Sequence, residues 1–85
     1  GWDDVTIDWA TLYAKLALSL PRLPAGQARG QLLCRLAEVV REKLGDATLA
    51  LRHLRGALDE GWIDAAGFEL LTQTLAHTTL DAFSP

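Results

Sequence analysis

The sequence predicts an all-α protein of four antiparallel helices. Three observations point there. Apolar residues recur at helical spacing along most of the 85 residues. Asp8, Asp46 and Asp64 each stand just ahead of such a stretch, where a carboxylate can accept the free N–H groups of a first helical turn. Pro21, Gly45 and Gly61 stand where the stretches end. No run alternates apolar and polar residues like a strand, and no Asn-Gly hairpin signal occurs.

The first helix is expected over about residues 9–20. Trp9, Leu12, Tyr13, Leu16, Ala17 and Leu20 form one stripe, expected to face the core. Asp8 caps it, Pro21 stops it, and Arg22-Leu23-Pro24-Ala25-Gly26 reads as a connector. The second helix is expected over residues 26–44, with Leu32, Leu33, Leu36, Ala37, Val40 and Leu44 as its inner face. Arg35, Glu38 and Arg41 stand three apart and can pair along its wet side, at about 0.2–0.5 kcal/mol per pair. Gly45 suits the left-handed position that ends a helix.

The third helix is expected over residues 47–60. Its inner face is Ala47, Ala50, Leu51, Leu54, Ala57 and Leu58, and Arg55 and Asp59 make an i, i+4 pair. Gly56 costs about 1 kcal/mol relative to Ala inside a helix, which marks close packing. The fourth helix is expected over residues 65–80. Ile63 and Phe68 form a hydrophobic staple at its entry, and its stripe continues through Leu71, Leu75 and Thr78/Thr79. Short connections favour antiparallel neighbours. The chain reads as a single small domain over residues 1–85, or as a fragment of a longer array. A chain of this size buries only about 60% of its unfolded surface, so a partner or a neighbouring repeat would complete it.

Some of these positions match a known pattern. Leu33, Leu36, Ala37 and Val40, the turn Leu44-Gly45-Asp46, and Ala50, Leu54, Ala57 and Leu58 together resemble one helical hairpin of the tetratricopeptide repeat family. Small residues at Ala37, Ala50 and Ala57 let two helices approach closely. Phe68, Leu71, Thr72 and Leu75 repeat the spacing of Leu33, Leu36, Ala37 and Val40 at an offset near the family period of roughly 34 residues. The resemblance covers about residues 30–76. The chain departs from the pattern in four ways. One extra residue separates Leu36 from Gly45. Trp62 stands where the family usually has proline. Leu33 replaces a tryptophan, and the first helix does not align in register. The resemblance implies an array of α-hairpins acting as a scaffold or adaptor. It also implies a peptide or helix held between successive first helices, here against Arg35, Glu38, Arg41, Thr72 and Gln73. The alternative architecture is a compact four-helix bundle.

Few residues offer chemistry. Cys34 is the one cysteine, so no intramolecular disulfide and no cysteine-rich zinc site can form. It is expected beside the core, which also keeps it from acting as a nucleophile with His53 or His77. Neither histidine belongs to a His-x-x-x-His or Glu-x-x-His pair, and both are expected to be structural. His77, near the expected helix end, suits the carbonyls there. Glu38 and Glu42 share a face with Arg41 and Lys43 nearby, which describes a solvated charged surface. Gly26 and Gly30 lack the spacing of a phosphate loop. No catalytic residue, metal site or cofactor is expected.

The formal net charge of −3 is unevenly spread. Residues 1–21 carry −2, residues 22–55 carry +4, and residues 56–85 carry −5 with no Lys or Arg. The basic middle segment has no aromatic residue. Arg29, Arg35 and Arg41 circle the helix at about 0°, 240° and 120°. Nucleic-acid binding is therefore not expected. No apolar run approaches the roughly 20 residues of a membrane span. A lone cysteine suits a reducing compartment, and a cytoplasmic location is expected. Trp2 precedes the first helix and is the best candidate for an exposed anchor; Trp62 begins the loop before the fourth helix, and Trp9 is expected in the core.

These readings lead to one expected function, a non-catalytic protein–protein interaction module that binds a peptide or helix of a partner. Its candidate contacts are Trp2, Arg35, Glu38, Arg41, Trp62, Thr72 and Gln73. The alternatives are a docking domain that meets another copy of itself through acidic and basic surfaces, and an accessory domain of a larger enzyme complex.

Overall fold

The computed structural model describes residues 8–83, with side chains as far as His77. Within them the chain is all-α. Helix α1 runs Trp9–Ser19 and passes into a 3-10 turn at Leu20–Arg22; α2 spans Gln27–Val39, α3 Ala47–Asp59 and α4 Ala65–Phe83. The capping predictions hold. Asp8 accepts the Thr11 N–H at 3.1 Å, Asp46 the Leu49 N–H at 3.0 Å, and Asp64 the Gly67 N–H at 2.6 Å.

Consecutive helices run antiparallel. Glu60, just past the end of α3, accepts the Gly26 N–H at the start of α2, while Val40 shares a buried cluster with Ala50 near the start of α3. Leu20, at the far end of α1, packs on the Leu33, Cys34 and Ala57 cluster, and Trp9, at its start, lies under Lys43. Helix α4 starts against Cys34 and proceeds towards Ala37 and Val40, so it runs alongside α2 in the same direction. The core is Leu33, Cys34, Leu36, Ala37 and Val40 of the second helical segment with Ala50, Leu54 and Ala57 of α3. Small residues at the crossing bring the two backbones together, as the sequence indicates.

The helical segment after α2 widens. Val40–Leu44 is a π-helical turn, closed by Gly45 in the left-handed conformation at φ 67°. The N–H groups of Gly45 and Asp46 both reach back to the Val40 carbonyl. A π turn holds one residue more than an α turn over the same rise.

Several expectations are corrected. The first helix has no fully buried residue; Trp9, Tyr13, Leu16 and Leu20 are half-buried, while Leu12 is exposed. Leu44 and Leu58 are also exposed rather than internal. Neither Arg55–Asp59 nor Glu38–Arg41 forms an ion pair; of the expected surface pairs only Arg35–Glu38 does, at 3.0 Å. Helix α4 continues to Phe83, which leaves His77 inside the helix instead of at its end.

The largest correction is the inner face of α4. Gly67, Leu70, Leu71 and Thr74 point inward, while Phe68, Thr72 and Leu75 do not. Phe68 is 59% exposed and Leu75 49%. No staple closes, because Ile63 packs into both core clusters while Phe68 faces solvent. The cause is steric. A Cβ at position 67 would lie 2.6 Å from Cys34 Sγ, so only glycine lets α4 settle on α2 in this rotation. Thr74, fully buried, donates its hydroxyl to the Leu70 carbonyl at 2.7 Å and carries no unpaired polar atom inward.

Candidate functional site

Helices α2 and α4 lie side by side and enclose an open groove of about 200 Å³. Its lining is Glu38 and Glu42 from the α2 side and Ala66, Glu69, Leu70 and Gln73 from α4. Two contacts set its width. At one end Gly67 sits on Cys34. On the surface Arg35 donates to Asp64 at 2.8 Å, which ties α2 to the N-cap of α4. The Asp64 carboxylate thus caps α4 with one oxygen and holds α2 with the other. Arg35 also reaches Glu38 and keeps that carboxylate at the groove wall. Gln73 donates to Glu69 at 3.3 Å across one helical turn. Glu42 is exposed in the π turn and has no ion pair.

The structure brings together only part of the expected contact set. Glu38 and Gln73 line this groove, while Arg35 stays outside its lining and touches it only through Glu38. Arg41 is half-buried in the π turn and does not line it. Thr72 spends its hydroxyl on the Phe68 carbonyl at 3.0 Å. Trp62 is half-buried and packs on Leu33, Cys34 and Ala57, with its carbonyl above Gly30. It is a packing residue that covers the hairpin end. Trp2 lies outside the described residues. Glu42, Glu69, Ala66 and Leu70 were missed as groove residues. For the three on α4 the signal was available in the i, i+3, i+4 and i+7 spacing of 66, 69, 70 and 73, once α4 is rotated to its true inner face.

Two further depressions exist. One of about 510 Å³ is lined by Leu20, Pro21, Arg29, Leu33, Gly56, Asp59 and Glu60. Its charged groups already have structural duties. Glu60 accepts the Gly26 N–H at 2.9 Å and faces Arg29 at 3.5 Å, and Arg29 donates to the Leu23 carbonyl at 2.9 Å. These bonds lace the connector to the end of α3. The other, of about 340 Å³, is a shallow apolar depression beside Leu23, Ala28 and Leu32.

The reactive groups are kept apart. Cys34 is fully buried under α4, and burial pushes its thiol above the ordinary value. His53 turns to α1 instead, with Nε2 2.7 Å from the Tyr13 hydroxyl. Burial, with Arg52 nearby, lowers its pKa, so the neutral ring is favoured and can accept the phenol proton. Among the described residues, no group of three or more His, Cys, Asp and Glu is placed to hold a metal ion. No helix among them is long and apolar enough to cross a membrane. No family model, curated protein or solved structure matches the chain.

Proposed function

We propose that this chain is a non-catalytic protein–protein interaction module that holds a peptide or helix of a partner in the groove between α2 and α4. The observation that carries this reading is the groove itself, an open channel between two parallel helices whose separation is fixed by Gly67 on Cys34 and by the Arg35–Asp64 bridge. A preset channel loses little freedom when a segment enters, which favours binding. Its floor offers Ala66 and Leu70, and its walls offer Glu38, Glu42 and Glu69. Apolar contact below and carboxylates above suit a segment that carries Lys or Arg beside apolar residues. The role is that of a scaffold or adaptor.

A displayed library of short peptides, selected on the 85-residue chain, tests this. Cationic sequences should be enriched. The bound peptide should perturb amide resonances of Glu38, Glu42, Glu69 and Gln73. Glu42→Lys should weaken binding without changing the melting temperature, since Glu42 makes no ion pair. Enrichment of acidic peptides, or perturbations confined to another face, would refute the reading.

A further inference from the structure

We infer that the partner held in the α2/α4 groove is the third helix of a second copy of this chain, laid antiparallel to α2. The inference rests on the groove reading and names its occupant.

The α2 wall of the groove has a charge order. Arg35, Glu38 and Glu42 stand at i, i+3 and i+7, within about 60° of one another at 100° per residue. Glu38 and Glu42 line the groove, and Arg35 stands one turn ahead, bonded to Glu38 and to Asp64. Along α2 the order is therefore plus, minus, minus. Glu69 adds a carboxylate on the α4 wall. Arg41 and Lys43 stand about 100° to either side of this line, and Lys43 lies over Trp9.

A stripe on α3 carries the complementary order. Thr48, Arg52, Arg55 and Asp59 are all exposed and lie within about 60° of one another, on the side of α3 away from the buried Ala50, Leu54 and Ala57. Arg52, Arg55 and Asp59 repeat the i, i+3, i+7 spacing, and none of the three is in an ion pair among the described residues. Laid antiparallel to α2, Asp59 meets Arg35, Arg55 meets Glu38 and Arg52 meets Glu42. All three contacts join opposite charges, and both sets span about 10 Å of helix. Laid parallel, Arg52 falls on Arg35 and Asp59 on Glu42, so two of the three repel. The pattern thus selects one direction and one register, which net positive charge alone does not. Leu58, 47% exposed, flanks the stripe and offers apolar area to Ala66 and Leu70 in the groove floor. Groove and stripe share no residue, so each copy can hold and be held at once. A head-to-tail contact of this kind extends into a chain or closes into a ring.

Sedimentation velocity of the 85-residue chain at low salt, over a wide concentration range, tests the proposal. The expected result is growth with concentration to species larger than a dimer. Arg52→Glu/Arg55→Glu spoils the stripe and Glu38→Gln/Glu42→Gln spoils the groove, and each should weaken association by about tenfold or more at unchanged helicity. Mixed, the two variants should form a one-to-one dimer and stop there, because a single junction between them is intact. Asp59→Arg decides the register. It sets a cation on Arg35 and should weaken association, whereas a stripe held only by its net charge would bind more tightly. If a double variant loses helix content, this single exposed change carries the test. A monomer at every concentration would overturn the proposal. So would association indifferent to the stripe, mixed variants that grow beyond a dimer, or a tighter Asp59→Arg. Cationic peptides that still bind the groove of a chain that stays monomeric would sink this occupant alone, and loss of both would sink the groove reading with it.

Discussion

Replacing Gly67 with alanine should destabilise the protein, although alanine is the better helix former. The added methyl carbon would lie 2.6 Å from Cys34 Sγ, 3.0 Å from Asp64 Oδ1 and 3.1 Å from Ile63 Cγ1. Ordinary contacts between such atoms are about 3.5–4.0 Å, so the sulfur must yield by roughly 1 Å. Cys34 is fully buried and has no free space to enter. Overpacking of this kind costs about 1–3 kcal/mol. The gain in helix propensity returns at most about 1 kcal/mol. With the middle of that cost range, about 2 kcal/mol, the net loss is about 1–2 kcal/mol. At about 4–8 °C per kcal/mol for a domain of this size, the melting temperature should fall by about 4–16 °C. Thermal unfolding followed by far-ultraviolet circular dichroism reads this directly. The same substitution in a Cys34→Ala background should cost clearly less, because the sulfur is gone and only the milder contacts with Asp64 and Ile63 remain. A raised melting temperature for Gly67→Ala alone, or an equal loss in both backgrounds, would refute the steric account of how α4 is seated.

Three other outcomes are expected. Glu60→Ala strands the Gly26 N–H and leaves Arg29 facing an empty position; urea denaturation should show a loss of about 1–3 kcal/mol, and Glu60→Gln a smaller one. His53 has a folded pKa below its ordinary 6.5, so the unfolded chain binds the proton more readily and stability rises with pH across that interval. Melting temperature should fall as pH drops from about 7 through the lowered pKa, and His53→Gln should remove that part of the slope. Asp8→Ala removes the carboxylate that holds the Thr11 N–H and hydroxyl. Amide exchange should accelerate in the first turn of α1 while global melting barely moves, because α1 has no fully buried residue.

Local chemistry made much of this fold legible. The capping aspartates and the glycine at 45 act within a few residues of themselves; the former mark the starts of α1, α3 and α4 and the latter the end of the segment that follows α2, without reference to anything distant. The buried residues of α2 and α3 were legible for a related reason. Both helices have a single dense apolar face, so periodicity admits one solution. Helix α4 is apolar on several sides. Phe68, Leu70, Leu71 and Leu75 permit two rotations, and what decides between them is the sulfur of Cys34 on another helix. Gly30 is similar, since a Cβ there would lie 2.5 Å from the Trp62 carbonyl, and nothing near it in sequence says so. The groove was legible only in part for the same reason. Glu38 and Gln73 were found, while Glu69 and Leu70 depend on that rotation. The bonds Tyr13–His53 and Gly26–Glu60 join positions far apart in the chain and carry no local signal.

The π turn at Val40–Leu44 bears on how this chain can change length. An insertion in a regular α-helix turns everything beyond it by about 100° and buries the wrong face. Here the helix widens in one π turn, upstream of a glycine that resets the chain direction. Leu36 and Ala50 keep their places on either side of it. The turn works as an expansion joint. Its neighbours Glu42 and Lys43 are exposed, so one of them could be lost and the turn tightened to α geometry with the α2–α3 core still in register. Length variation among descendants of this sequence should therefore collect at this turn, and a Glu42 deletion should fold.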